Sequence, residues 1–198
     1  MWIMKKQILF LHGFLASGNG NKSQYLKNYV KNNFDNYEVL SPDIADELDL
    51  SFSSIESFIK NNTENLVAVV GSSLGGYWSY RVFRKYHLPA VLINPVVEIQ
   101  SLVHHFAGKH VNFCTKHEFI IDPNNPDNDV EQVTPLNEEE KKLFMVLLGT
   151  KDEVLDYHIA ERFYAGANIH ILEGEDHRIQ NFDKCCPLIM DFIVNNSK

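Results

Sequence analysis

Three cysteines in 198 residues, two of them the adjacent pair Cys185 and Cys186, are too few for a disulfide framework and match no zinc-ligand spacing. That scarcity points to a reducing, cytoplasmic setting. Basic residues are also in deficit. Eighteen Lys and Arg against 26 Asp and Glu leave a formal charge of −8, which repels a phosphate backbone and makes nucleic acid an unexpected partner. No apolar run reaches the roughly 18 residues of a membrane span. Lys5 and Lys6 ahead of the apolar stretch 8–14 imitate a signal peptide, but His12 and Gly13 interrupt the run, and a buried first strand is the better reading. Internal repeats and flexible linkers are absent as well, and the composition excludes collagen-like and disordered chains.

What is present is a 44% hydrophobic, 12% aromatic chain of one domain's length, 1–198, with enough apolar content for a sizeable core. Apolar runs of strand length fall at 7–12, 38–41, 66–71, 90–94, 143–149 and 168–172. They are continuous rather than alternating, which predicts strands buried on both faces. Between them, apolar residues recur at helical spacing over 23–33, 54–61, 74–86, 155–164 and 183–194. Strand and helix in alternation specify a parallel, doubly wound α/β sheet. The stretch 96–141 breaks the alternation with Pro123, Pro126, Pro135 and an acidic, Asn-rich middle; it reads as a cap-like insertion whose first part, 96–107, can be helical.

The chemistry concentrates where strands end. Gly71-Ser72-Ser73-Leu74-Gly75 is a G-x-S-x-G pentamer between a strand and a helix. A nucleophile elbow needs small residues two before and two after the serine, because the strained turn brings strand and helix too close for side chains; Gly71 and Gly75 meet that demand. The competing reading is a glycine-rich helix start that binds an anion, but the chain has neither a Walker lysine nor G-x-G-x-x-G spacing there. A serine hydroxyl needs a base, and the base an orienting acid. His177, in the turn after the last strand, is the candidate base. Asp152, in the turn after 143–149, is the candidate acid, with Asp156 a rival better suited to capping a helix and Glu153 a weaker third. An oxyanion hole would draw on the backbone N–H groups of Phe14, after the first strand, and Leu74. His170 reads as a packed strand residue and His87 as a helix-end residue; His104, His105, His110, His117 and Cys114 fit no common metal-ligand pattern. Lys109, Lys116 and the nearby histidines form a locally basic stretch that reads as a solvated face, the alternative being a seat for a leaving-group phosphate.

Taken together, Leu11-His12-Gly13-Phe14, Val70 to Tyr77, Ile93-Asn94-Pro95 and Asp152 to Tyr157 resemble the α/β-hydrolase superfamily and, within it, the small bacterial esterases of the YqiA type. The resemblance covers nearly the whole chain. It implies a three-layer α/β-hydrolase fold with a six-stranded, mainly parallel sheet in the order 2-1-3-4-5-6. It also implies hydrolysis of small-molecule esters or thioesters, acyl-CoA-like thioesters included, with no cofactor. Carried over by motif, Ser73 is the nucleophile, His177 the base and Asp152 the acid. Acyl transfer on the same residues, or a non-catalytic binding module of the same fold, are the alternatives. One departure is visible: Glu175, Asp176 and Arg178 flank His177, where small, neutral neighbours are expected.

Overall fold

A computed structural model describes residues 4–197. Six strands, β1 (Lys6–Leu11), β2 (Tyr37–Leu40), β3 (Leu66–Ser72), β4 (Ala90–Ile93), β7 (Phe144–Gly149) and β8 (Asn168–Leu172), form one sheet with every pairing parallel, in the order β2-β1-β3-β4-β7-β8. Counted among themselves, these strands run 2-1-3-4-5-6, as expected from the sequence.

Their uninterrupted apolarity has a simple cause, since each face of the sheet meets its own core. Leu9, Leu11, Val69, Leu92, Val146 and Leu148 face one apolar cluster with Ile55 of α2 (Leu48–Asn62) and Trp78 and Phe83 of α3 (Leu74–Tyr86). Ile8, Phe10, Val70, Val91, Ile93 and Leu147 face the other, with Leu26 of α1 (Asn21–Asn33) and Ile189 and Ile193 of α7 (Cys186–Asn196). Burying large side chains of this kind contributes about 1.5–3 kcal/mol each, so both layers are needed to offset the ordering of the strands between them.

Several helix limits differ from the sequence reading. The second helix starts at Leu48, not 54, because Leu48, Ser51 and Phe52 already face the core ahead of the segment chosen on periodicity. In the insertion, α4 is confined to Ile99–His105, and α6 (Tyr157–Phe163) starts only after Asp156, which caps it. The last helical stretch begins as a 3-10 turn, Phe182–Cys185, before α7.

The insertion carries structure that the sequence did not reveal, namely an antiparallel hairpin of β5 (Gly108–Val111) and β6 (Glu118–Ile121) and a one-turn helix α5 (Glu138–Lys141). The proline-containing path between β6 and α5 is pinned by α3. The Tyr77 hydroxyl accepts from Glu131 N–H at 2.7 Å and donates to its carbonyl at 2.9 Å. Its burial pushes the phenol up to about 12. Tyr80 repeats the contact with Thr134, and Arg84 reaches the Glu140 carboxylate at 2.6 Å. On the other flank, the buried Asn112 amide donates to Asp46 at 2.8 Å and to the Ala16 carbonyl at 3.0 Å.

Candidate active site

In an open parallel sheet, ligands gather at the carboxyl ends of the strands, where the winding reverses direction. Here the reversal falls between β1 and β3, with Leu11 opposite Gly71. Ser73 stands immediately past β3 with φ 58° and ψ −120°, a conformation that costs a non-glycine residue on the order of 1–3 kcal/mol. Its backbone is held on both sides: Ser73 N–H donates to the Ile93 carbonyl at 2.9 Å, while the Ser73 carbonyl accepts from Gly76 N–H at 2.9 Å and Val96 N–H at 3.2 Å. The flanking glycines are obligatory. A Cβ on Gly71 would overlap the Gly75 carbonyl and Ser79 Oγ, and one on Gly75 would overlap the Leu11 and His12 carbonyl oxygens.

The turn aims the Ser73 hydroxyl at the loop after β8. His177 Nε2 lies 3.1 Å from Ser73 Oγ, and His177 Nδ1 lies 2.8 Å from Asp152 Oδ2. Asp152 is the more enclosed partner, its side chain 1% exposed against 17% for His177. Its other oxygen accepts from Val154 and Leu155 N–H, both at 2.8 Å. An ionised carboxylate only accepts, so Nδ1 must carry the imidazole proton and Nε2 is left to accept from the serine. The sequence-predicted Ser73, Asp152 and His177 are thus brought together. Asp156 is not part of this group; it caps α6 by accepting from His158 N–H at 3.0 Å. Glu153 is adjacent, accepting from His177 N–H at 3.1 Å. The acidic flanks of His177 point elsewhere: Asp176 accepts from Arg178 N–H and the Gln180 amide, and Glu175 from the Asn181 amide.

Among the described residues, neither Phe14 N–H nor Leu74 N–H finds a hydrogen-bond partner, so both donors beside Ser73 are free. Two features set the Phe14 loop. The buried His12 ring lies 2.9 Å from the Gly13 carbonyl through Nδ1 and accepts Ile44 N–H on Nε2 at 3.0 Å, so it is a neutral linker. Burial draws its pKa below the ordinary imidazole value. The Phe14 ring is wedged against Phe106 and Phe119 of the insertion, with centroids 5.0 and 5.9 Å away.

The insertion histidines have local partners. His110 Nε2 meets the Phe106 carbonyl at 2.7 Å, and His117 meets the Glu47 carboxylate at 2.7 Å, a contact that raises the His117 pKa. Among the described residues no three His, Cys, Asp or Glu side chains are grouped to hold a metal ion. His170 lies within β8, as read from the sequence, with Nε2 buried and unpartnered. His87 closes α3 in the left-handed region.

Sequence reasoning assigned no role to Asn94. It is 2% exposed, sits just past β4 with φ 42°, accepts Gly149 N–H at 2.8 Å, and donates to the Asp176 and His177 carbonyls at 3.2 and 3.1 Å. One amide therefore sets the spacing between the β7 end that carries Asp152 and the loop that carries His177. The available signal was a polar residue at the end of an otherwise apolar strand. Each buried group orphaned by Asn94→Ala costs about 1–3 kcal/mol, so the melting temperature is expected to fall by roughly 5–10 °C, read by circular dichroism. A change under about 1 °C would contradict this assignment.

A cavity of about 530 Å³ opens between α4 and α6, walled by Val96, Leu102, Phe106, Val154, Leu155 and Ile159, with Glu98, Glu153 and Asp156 also lining it. It adjoins the serine turn through Val96.

The sheet order, the glycine-flanked serine turn and the loops converging on it define the α/β-hydrolase fold. Within that class the chain belongs to UPF0227, an uncharacterised protein family of the YqiA type, whose model matches residues 7–194. Solved structures share the fold at low identity. Est1E from Butyrivibrio proteoclasticus has a TM-score of 0.72 at 11% identity, covering 98% of this chain and 89% of that one; another of its structures has ferulic acid bound. Alpha/beta hydrolase domain-containing protein 10 from mouse has a TM-score of 0.70 at 14% identity, covering 98% and 92%. The esterase domain of a Rhodothermus marinus protein has a TM-score of 0.63 at 16% identity, covering 98% and 86%. Among the described residues no helix is long and apolar enough to cross a membrane.

Proposed function

We propose that this protein is a serine hydrolase that cleaves small-molecule carboxylic esters or thioesters through an acyl-enzyme. The observation that carries this reading is the unbroken contact from Ser73 Oγ through the His177 ring to Asp152, at 3.1 and 2.8 Å. Ser73 Oγ attacks the carbonyl carbon while His177 Nε2 takes its proton, and Asp152 stabilises the imidazolium that forms. The oxygen that gains charge is received by the free N–H groups of Phe14 and Leu74, fixed before the reaction begins. His177 returns the proton to the departing alkoxide or thiolate, then activates the water that releases the acyl group. The insertion 96–141 serves as a cap on a single domain spanning the chain, a role supported by its aromatic grip on Phe14. Its apolar cavity is suited to an acyl chain. Three free cysteines, with Cys114 exposed, favour a reducing compartment such as the cytoplasm.

A fluorophosphonate tests the reading directly. Mass mapping is expected to place the adduct on Ser73 and none on Ser72, which ends β3 and is 7% exposed. An adduct on Ser72, or no adduct on the folded protein, would overturn it.

A further inference from the structure

On the opposite flank of the serine turn from the apolar cavity lies a second one, of about 490 Å³, between the Phe14 loop, the start of α1 and the residues after His177. Its walls include His12, Gly13 and Ser72, so it borders the turn that presents Ser73; a Cβ on Gly13 would stand 3.8 Å from Ser73 Oγ. Its charge is opposite to that of the first cavity. In a chain of net charge −8, the ionic side chains in this wall are Lys22 and Arg178, both cationic. Among the described residues neither has a side-chain hydrogen bond or an ion pair within 4.0 Å, although Lys22 is half-buried. Asp176 is the carboxylate that acts most on Lys22, yet its oxygens are taken by Arg178 N–H and the Gln180 amide. Enclosure pulls the Lys22 pKa below its ordinary value, more than the nearby Asp176 and Asp152 carboxylates offset.

Resting on the hydrolase reading, we propose that Lys22 and Arg178 form an anion subsite, and that preferred substrates carry a carboxylate or phosphate which lodges there while the ester carbonyl sits at Ser73. A half-buried ammonium without an ion pair, in a cavity that borders the serine turn, is costly to keep, and an incoming anion supplies its missing partner. Lys109 and Lys116 of the insertion are exposed and line neither cavity, so they do not serve this role.

The test compares matched esters at fixed ionic strength. With the anion on the leaving group, 4-acetoxybenzoate is set against 4-acetoxybenzamide and 4-acetoxyphenyl phosphate against phenyl acetate. With the anion on the acyl group, p-nitrophenyl hemisuccinate is set against p-nitrophenyl butyrate. In at least one pair kcat/KM is expected to favour the anion about tenfold, and Lys22→Gln with Arg178→Gln to abolish that ratio. The responding pair tells carboxylate from phosphate. Ratios near one in all pairs, unchanged by the substitutions, would overturn the subsite while leaving the hydrolase reading intact. If no ester is cleaved, the hydrolase reading fails, and binding decides the subsite. Succinate or inorganic phosphate then raises the melting temperature of Ser73→Ala, and adding Lys22→Gln removes the rise. Absence of any rise overturns the subsite independently of turnover.

Discussion

Asp152→Asn is expected to lower kcat on the order of 10⁴-fold, while Asp156→Asn, four residues on, keeps most of the turnover. The two carboxylates differ in what they hold. Asp152 Oδ2 contacts His177 Nδ1 at 2.8 Å, so it fixes the tautomer in which Nε2 can accept the serine proton. An amide in its place can present N–H to the ring, reversing the tautomer and removing the charge that stabilises the imidazolium. The other oxygen also matters, since it accepts two N–H groups of the following turn. Part of the loss could therefore be structural, and circular dichroism must show that the variant is folded before rates are compared at saturating substrate. Asp156 holds only the first turn of α6, worth about 1 kcal/mol as a cap. Should the Asp156 variant be the inactive one, the acid is misassigned.

Gly75→Ala is expected to damage both stability and rate. Its new methyl would be driven into the carbonyl oxygens of Leu11 and His12, backbone atoms that cannot rotate aside. Either β1 or the start of α3 must then shift, which separates Phe14 N–H from Leu74 N–H, the two donors proposed to receive the oxyanion. Overpacking of this kind typically costs about 1–3 kcal/mol, a fall of roughly 2–12 °C for a chain of this size. Loss of one oxyanion donor costs a further 10²- to 10³-fold or so in kcat. Melting curves and initial rates on one preparation check both effects. A variant within about twofold of the parent in kcat and 1 °C in melting temperature would show that strand and helix are not in the close contact described.

The sequence carried the sheet because burial on two faces leaves long apolar runs, and it carried the serine turn because only glycine fits where a strand and a helix touch. It separated Asp152 from Asp156 by position alone, one in a strand-end turn and the other at a helix start. The β5 and β6 hairpin escaped because each strand has four residues, and Lys109, His110 and Glu118 mask its alternation. Asn94 and His12 escaped for another reason. Their roles consist of contacts with Gly149, the His177 loop and Ile44, distant segments that a polar residue at a strand end does not by itself identify. Lys22 and Arg178 likewise gain their shared cavity only when α1 and the loop after β8 meet.

That dependence on distant segments also governs when the site comes into being. Ser73 and His177 are 104 positions apart, and Asp152 and His177 are 25 apart. Such contacts pay their loop-closure entropy before they return any stabilisation, and they form late in topologies rich in non-local pairing. No early fragment holds Ser73 next to His177. The proposed site is therefore complete only once β8 has paired with β7 and the loop carrying His177 is in place, so labelling of Ser73 is expected to report completion of the sheet.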